Sequence, residues 1–195
     1  MSLPLILASA SPRRKEILER LGLSFAVDPA RSEAPPDPSL PVERAVLAVA
    51  RGKAEEVADR HPGCIVLGAD TAVCLRGFPE GPLLGKPRDA GHAHAMLSAL
   101  QGQEHEVLTA VWVCAPPKAH RPAAGGFLSR ARVCFYPMTD GEIDRYIATG
   151  EPMDKAGAYG IQGAGLRYIR GIRGDYYTVM GLPGARASRF LRLFS

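Results

Sequence analysis

The sequence predicts a mixed α/β fold, and three observations predict it. Short apolar runs with strand character, Leu3 to Ala8 and Ile65-Val66-Leu67, alternate with segments of helical periodicity. Two long strand candidates, 105–115 and 126–137, flank a Pro/Gly-rich loop at 116–125 and are expected to pair antiparallel. Helices alternating with hairpins indicate a mixed sheet, not a purely parallel one.

Composition supports a packed chain. With 195 residues, 46% hydrophobic and 23% charged, the sequence can close a real core as one domain or two small lobes. Gly (21) and Pro (17) make up about a fifth of the residues without a period, which excludes collagen-like and solenoid architectures. No apolar run approaches the roughly 20 residues of a membrane span, and Met1 to Ser9 lacks a basic leader, so a cytoplasmic protein with no membrane partner is expected. The cysteines at 64, 74, 114 and 134 form no CxxC pair and read as buried free thiols, and no histidine spacing suits zinc.

A net charge of +4 suits nucleic acid, an anionic membrane face or a phosphate-bearing small molecule. The basic residues are scattered, with no block of five like charges, and nucleic acid is disfavoured. Five of the 24 basic residues are lysines, at 15, 53, 86, 118 and 155, and three of these recur in site motifs. Lysine is a compact point charge suited to a phosphate oxygen.

The elements follow in order. Ser11 then Pro12 start a helix that Gly22 stops, with Arg13 and Arg14 in a first turn where cations oppose the helix dipole and call for a negative neighbour. Residues 28–41 carry Pro29, Pro35, Pro36, Pro38 and Pro41 and form an extended connection holding Glu33. A second helix, about Val42 to Arg60, buries Val46, Val49, Ala50 and Val57, and lets Lys53 reach inward. The run Cys64 to Leu75 is expected to be a strand broken at Gly68-Ala69-Asp70-Thr71. A helix from Asp89 to Leu100 ends at Gly102, and Thr139 with Glu142 makes a capping box for a helix from Asp140 to Thr149. Residues 151–165 show no periodicity; 166–172 and 175–180 read as a hairpin around Gly174, and 184–194 as an arginine-rich terminal helix.

Four constellations carry chemistry. Ala8 to Arg14 offers a strand end, small residues and a helix N-terminus, the parts of an anion cradle, although neither a P-loop nor a GxGxxG fingerprint is present. Asp70 interrupts an apolar strand, where a carboxylate is metal-bound, paired or catalytic. Lys86-Pro87-Arg88 places cations just beyond a turn. Lys155 to Gly163 combines glycines for close approach or positive φ, Tyr159 as an aromatic face, and Gln162, whose amide can read a base edge. Jointly they suit a nucleoside triphosphate with a divalent ion.

Ser9-Ala10-Ser11-Pro12-Arg13-Arg14, Gly68-Ala69-Asp70-Thr71, Gly85-Lys86-Pro87-Arg88 and Lys155 to Gly163 resemble, in order and spacing, the Maf family of nucleoside triphosphate pyrophosphatases. The resemblance implies a single nucleotide pyrophosphatase domain over 1–195, with an elongated central sheet and two lobes around a central cleft, similar to the inosine triphosphatase type. It implies hydrolysis between the α and β phosphates with Mg²⁺ or Mn²⁺, by a protein that is often a dimer in this family. Asp70 matches the proton acceptor, and Glu33 with Asp70 the metal positions. Ser9, Arg13, Lys53 and Lys86 match phosphate-cleft positions, and Arg14 and Lys155 join them as substrate-binding residues. Arg13, Thr71 and Gln162 match the positions that set base choice. The dTTP/UTP branch carries Arg, Thr and Gln there, while the 7-methyl-GTP branch has Trp, Gln and Glu, so this sequence resembles the dTTP/UTP branch. Modified uridine triphosphates and a nucleotide house-cleaning role are implied with it. The loop 116–125 departs from the pattern as an insertion.

Overall fold

Leu5–Leu7 (β1) pairs in parallel with two strands, Ala26–Val27 (β2) and Ile65–Cys74 (β3), in the registers Ile6↔Ala26 and Leu7↔Leu67. The structure, a computed structural model, describes residues 3–31, 34–78, 81–117 and 121–194. Leu83–Leu84 (β4) pairs antiparallel with the far end of β3. Glu104–Cys114 (β5) and Ala124–Phe135 (β6) are sheet neighbours, and Ile169–Arg173 (β7) runs antiparallel to β6 with an irregularity between Cys134 and Phe135. The described strands join in the order β2-β1-β3-β5-β6-β7, a mixed sheet as the sequence predicts.

By its contacts the chain forms two compact units, one of residues 1–70, 109–129 and 181–195, the other of 71–108 and 130–180. In the first, Pro12–Arg20 (α1) and Val42–Arg60 (α2) supply the helices. Ala54 and Val57 of α2 pack with Ile6, Ala8, Val66 and Cys114. Gly184–Leu191 (α6 in chain order) lies so close to α1 that a Cβ on Gly184 would stand 2.9 Å from the Ile17 side chain. Arg186 is held over the Phe127 ring at 4.2 Å and donates to the Leu128 carbonyl, which spends one cation of the arginine-rich tail on the fold.

The second unit is centred on Ala90–Leu100 (α3) and Asp140–Ala148 (α4), with Met96, Leu97, Leu100, Phe135 and Tyr146 in its core. The Thr139–Glu142 capping box forms as expected, and Gly150, at φ 75°, closes the α4 end in the left-handed region. Asp89 caps α3 by accepting from the His92 amide.

Four expectations are corrected. β3 is continuous through Gly68-Ala69-Asp70-Thr71, because the glycine there serves a close helix approach and not a turn. The residues 175–180 are not a strand: Tyr176–Met180 (α5) is a helix, since the Asp175 carboxylate accepts from the Tyr177 and Thr178 amides and the Thr178 hydroxyl, and this cap outweighs the strand propensity of Tyr-Tyr-Thr-Val. Residues 164–168 are a 3₁₀ turn before β7. β6 begins at Ala124, inside the expected loop 116–125, of which 118–120 lie outside the described residues. Among the cysteines, all free, Cys114 is buried while the other three are half-buried. No helix among the described residues is long and apolar enough to cross a membrane.

Candidate active site

A strand alternates its side chains, so Gly68 and Asp70 share one face of β3. That face meets α2. A Cβ at position 68 would lie 2.5 Å from the Ala50 carbonyl oxygen and 2.8 Å from the Ala54 amide, so the missing side chain is what lets the helix come down on the strand. Lys53, on the turn between Ala50 and Ala54, is thereby delivered to Asp70, and its Nζ stands 2.8 Å from Oδ1. Only 10% of the lysine side chain and 12% of the aspartate side chain remain exposed. Taking two charges this far out of water costs free energy that their attraction offsets only with good geometry, so such a pair is weak as a stability device.

The parallel register Leu7↔Leu67, extended by the bond from the Ala8 amide to the Leu67 carbonyl, sets the chain leaving β1 beside Gly68-Ala69-Asp70. Ser9 and Arg14 are both buried in this turn. The Ser9 hydroxyl oxygen accepts from the Ser11 amide at 3.3 Å and from Arg14 Nη1 at 2.9 Å, while Arg14 Nε donates to the Gly181 carbonyl. Arg14 therefore braces the turn from inside the protein. Ser11 occupies the N-cap position ahead of Pro12, where the helix is expected to start, but its hydroxyl makes no cap, and Arg13 is half-buried in the first turn of α1.

In the second unit, the Gly157 amide donates to the Gly85 carbonyl at 3.0 Å, which ties the Lys86 turn to the loop starting at Lys155. Lys86 and Gln162 are exposed and Thr71, next to Asp70 on β3, is half-buried. Lys155 Nζ donates to the Glu151 carbonyl and the Asp154 carboxylate, both at 2.6 Å. Tyr159 offers no aromatic face: it is buried, its hydroxyl 2.8 Å from His105 Nε2 and its ring edge-on to Phe135. Burial pushes the Tyr159 hydroxyl upward and pulls His105 down to about 4, so the pair is neutral and belongs to the core. Glu33 lies outside the described residues.

Sequence reasoning missed Glu151 and Tyr146. The Tyr146 hydroxyl donates to Glu151 Oε1 at 2.8 Å and accepts from the Gly160 amide at 3.0 Å. Glu151 also accepts from the amides of Ala164 and Gly165. A Cβ on Gly163 would collide with the Glu151 carboxylate, and one on Gly165 would lie 2.5 Å from the Tyr146 hydroxyl. The room that Gly163 and Gly165 leave is thus filled by this carboxylate and its tyrosine, and Gly157 takes the positive φ, 69°, that was one of the two expectations for the glycines of this loop. The acid ahead of the glycine run was the available signal.

The described donors also bear on the metal implied by the resemblance. No cluster of three His, Cys, Asp or Glu side chains that could hold an ion exists among the described residues. Mg²⁺ is often held by one or two carboxylates together with substrate phosphates, and a buried Asp70 with one oxygen already on Lys53 suits an ion of that kind.

Comparison with known proteins agrees with the motifs. The dTTP/UTP pyrophosphatase of Halalkalibacterium halodurans is 44% identical over 190 residues, covering 97% of this chain and 95% of that protein. The dTTP/UTP pyrophosphatases of Agathobacter rectalis and Bacillus velezensis are 45% and 42% identical, covering 96% and 100% of this chain and 96% and 98% of theirs. Among solved structures, the Ham1 protein of Staphylococcus aureus superposes with a TM-score of 0.52 at 11% identity, covering 96% of this chain and 99% of that one. A HAM1 protein of Coxiella burnetii gives 0.50 at 14%, covering 98% and 99%, and both likenesses concern the fold alone. The family described as Maf-like protein matches residues 4–194, and the chain belongs to that family.

Proposed function

We propose that this protein is a cytoplasmic nucleoside triphosphate pyrophosphatase that hydrolyses dTTP, UTP and modified uridine triphosphates to the monophosphate and pyrophosphate, removing unwanted nucleotides. The observation that carries the reading is the buried Lys53–Asp70 pair, which fixes the lysine Nζ 2.8 Å from the carboxylate next to the strand that leads into the Ser9 to Arg14 turn.

In this reading Asp70 takes the proton of the attacking water. The water oxygen bonds to the α-phosphorus as the bond from that phosphorus to the α–β bridging oxygen breaks, and the bridging oxygen leaves on pyrophosphate. Lys53 orients the carboxylate through Oδ1, so Oδ2 is the oxygen that receives the proton. The Ser9 to Arg14 turn cradles phosphate oxygens with the α1 N-terminus, Arg14 bracing it and Arg13 contributing charge. Lys86 and Lys155 add positive charge, and Arg13, Thr71 and Gln162 select the base. Glu33 and Asp70 would hold a divalent cation, Mg²⁺ or Mn²⁺, which when bound neutralises charge on the phosphates.

Pyrophosphate release from dTTP, UTP, CTP, ATP, GTP and 7-methyl-GTP, with either metal and with chelator, tests the reading. Metal-dependent release favouring dTTP and UTP is expected, and silence across the panel would overturn it. Gln162→Glu is expected to lower the preference for dTTP over GTP about tenfold or more, because a site built around a polar match rejects its mismatch efficiently. An unchanged nucleotide profile in that variant would remove Gln162 from base selection.

A further inference from the structure

The loop that carries Gln162 is fastened from below by one acid. Glu151 follows directly on the left-handed Gly150 that ends α4, so its backbone is fixed by the helix. Its Oε1 accepts from the Tyr146 hydroxyl at 2.8 Å and the Gly165 amide at 3.3 Å, its Oε2 accepts from the Ala164 amide at 2.6 Å, and its carbonyl accepts from Lys155 Nζ at 2.6 Å. Through the Tyr146 hydroxyl the same network reaches the Gly160 amide. The chain is therefore held at residues 155, 160, 164 and 165, and the stretch 161–163 bridges two of the fixed points with exposed Gln162 at its middle.

The surroundings are built for a charged carboxylate. Burial opposes its ionisation, but the hydrogen bonds from Tyr146, Ala164 and Gly165, with Lys155 nearby, outweigh this and hold the carboxyl below its usual range. Cβ atoms on Gly160, Gly163 and Gly165 would all run into Glu151, Lys155 or Tyr146. Three glycines in six residues cost the unfolded chain little and the folded loop much entropy, so an unfastened loop of this composition would be mobile.

We propose that Glu151 is the positioning residue of base selection: acting through Tyr146 and the Ala164 and Gly165 amides, it presets the 161–163 bridge so that Gln162 meets a pyrimidine edge in one orientation. This rests on the function proposed above. Glu151 itself touches no substrate in this assignment. A loose bridge must be ordered each time a base binds, and a misoriented amide leaves polar groups unmatched, so the loss is expected in KM and in selectivity.

Glu151→Gln keeps the size but replaces one acceptor oxygen by an amide donor, so it cannot serve both the Tyr146/Gly165 side and the Ala164 side. Tyr146→Phe removes the hydroxyl and with it two bonds, the one it donates to Glu151 Oε1 and the one it accepts from the Gly160 amide, while leaving the Ala164 and Gly165 amides on the carboxylate. In each variant KM for dTTP and UTP is expected to rise about tenfold, the dTTP-to-CTP ratio of kcat/KM to fall about tenfold, and kcat to change by no more than about twofold. Amide hydrogen exchange across 160–165 is expected to accelerate at least tenfold in both. A purely structural role would instead lower activity on every nucleotide in proportion and leave KM and the ratio unchanged, which would overturn the proposal. Tyr146→Phe carries the test if Glu151→Gln does not fold. Should the wild type release no pyrophosphate, the functional reading fails by itself, and exchange still judges the clamp: unchanged protection in both variants overturns it.

Discussion

Asp70→Asn is expected to reduce pyrophosphate release from dTTP by about 10²–10⁴-fold, the usual loss when a positioned general base is removed. The asparagine oxygen can still accept a hydrogen bond from Lys53, so the local geometry survives while the capacity to take a proton does not. Stability responds separately. The lysine side chain is only 10% exposed, and removing the counter-charge of a buried pair costs up to about 3–5 kcal/mol, an upper bound here since Lys53 has further interactions. Adding Lys53→Met to Asp70→Asn removes the stranded cation. The double variant is therefore expected to melt above the single one while remaining inactive, a separation that thermal unfolding and turnover measured on the same samples would check. Near-normal turnover by Asp70→Asn would remove Asp70 from the chemistry. A double variant less stable than Asp70→Asn would show that Lys53 is held by its other partners.

How much of this was legible in the sequence depends on the range of the interaction. Helix ends were readable where their signals are local: Thr139 with Glu142 forms the expected capping box, α3 begins one residue after the expected Asp89, which caps it, and α2 keeps the expected bounds Val42–Arg60 although no side chain caps it. The inward reach of Lys53 was readable from helical spacing, but its partner was not, since Lys53 and Asp70 are joined by packing and not by any period. Tyr159 was misread for the same reason. An aromatic among glycines suggests a stacking face until His105, 54 positions away, is seen against its hydroxyl. The helix at Tyr176–Met180 shows the converse, a single aspartate overriding the β propensity of the residues it precedes.

Gly68→Ala is expected to be among the most damaging single-methyl changes in the chain. The added carbon would stand 2.5 Å from the Ala50 carbonyl oxygen, 2.8 Å from the Ala54 amide nitrogen and 2.9 Å from the Ala54 Cβ, and the two nearest are backbone atoms that cannot swing away. Overpacking of this kind costs about 1–3 kcal/mol, and the upper end applies where a whole helix must retreat. At about 2–4 °C per kcal/mol for a chain of this size, a fall in melting temperature of roughly 6–12 °C follows. The retreat carries Lys53 with it, so turnover is expected to fall at temperatures where the variant is still folded. Ala54→Gly in the same chain should restore little, because the closest contact is to the Ala50 carbonyl. The same substitution on the facing helix gives the opposite sign. Gly52, exposed within α2, has no atom within 4 Å of an added Cβ, so Gly52→Ala is expected to stabilise by about 0.5–1 kcal/mol through helix propensity alone. If Gly68→Ala melts no lower than the wild type, α2 does not rest on that glycine and the route by which Lys53 reaches Asp70 must be another.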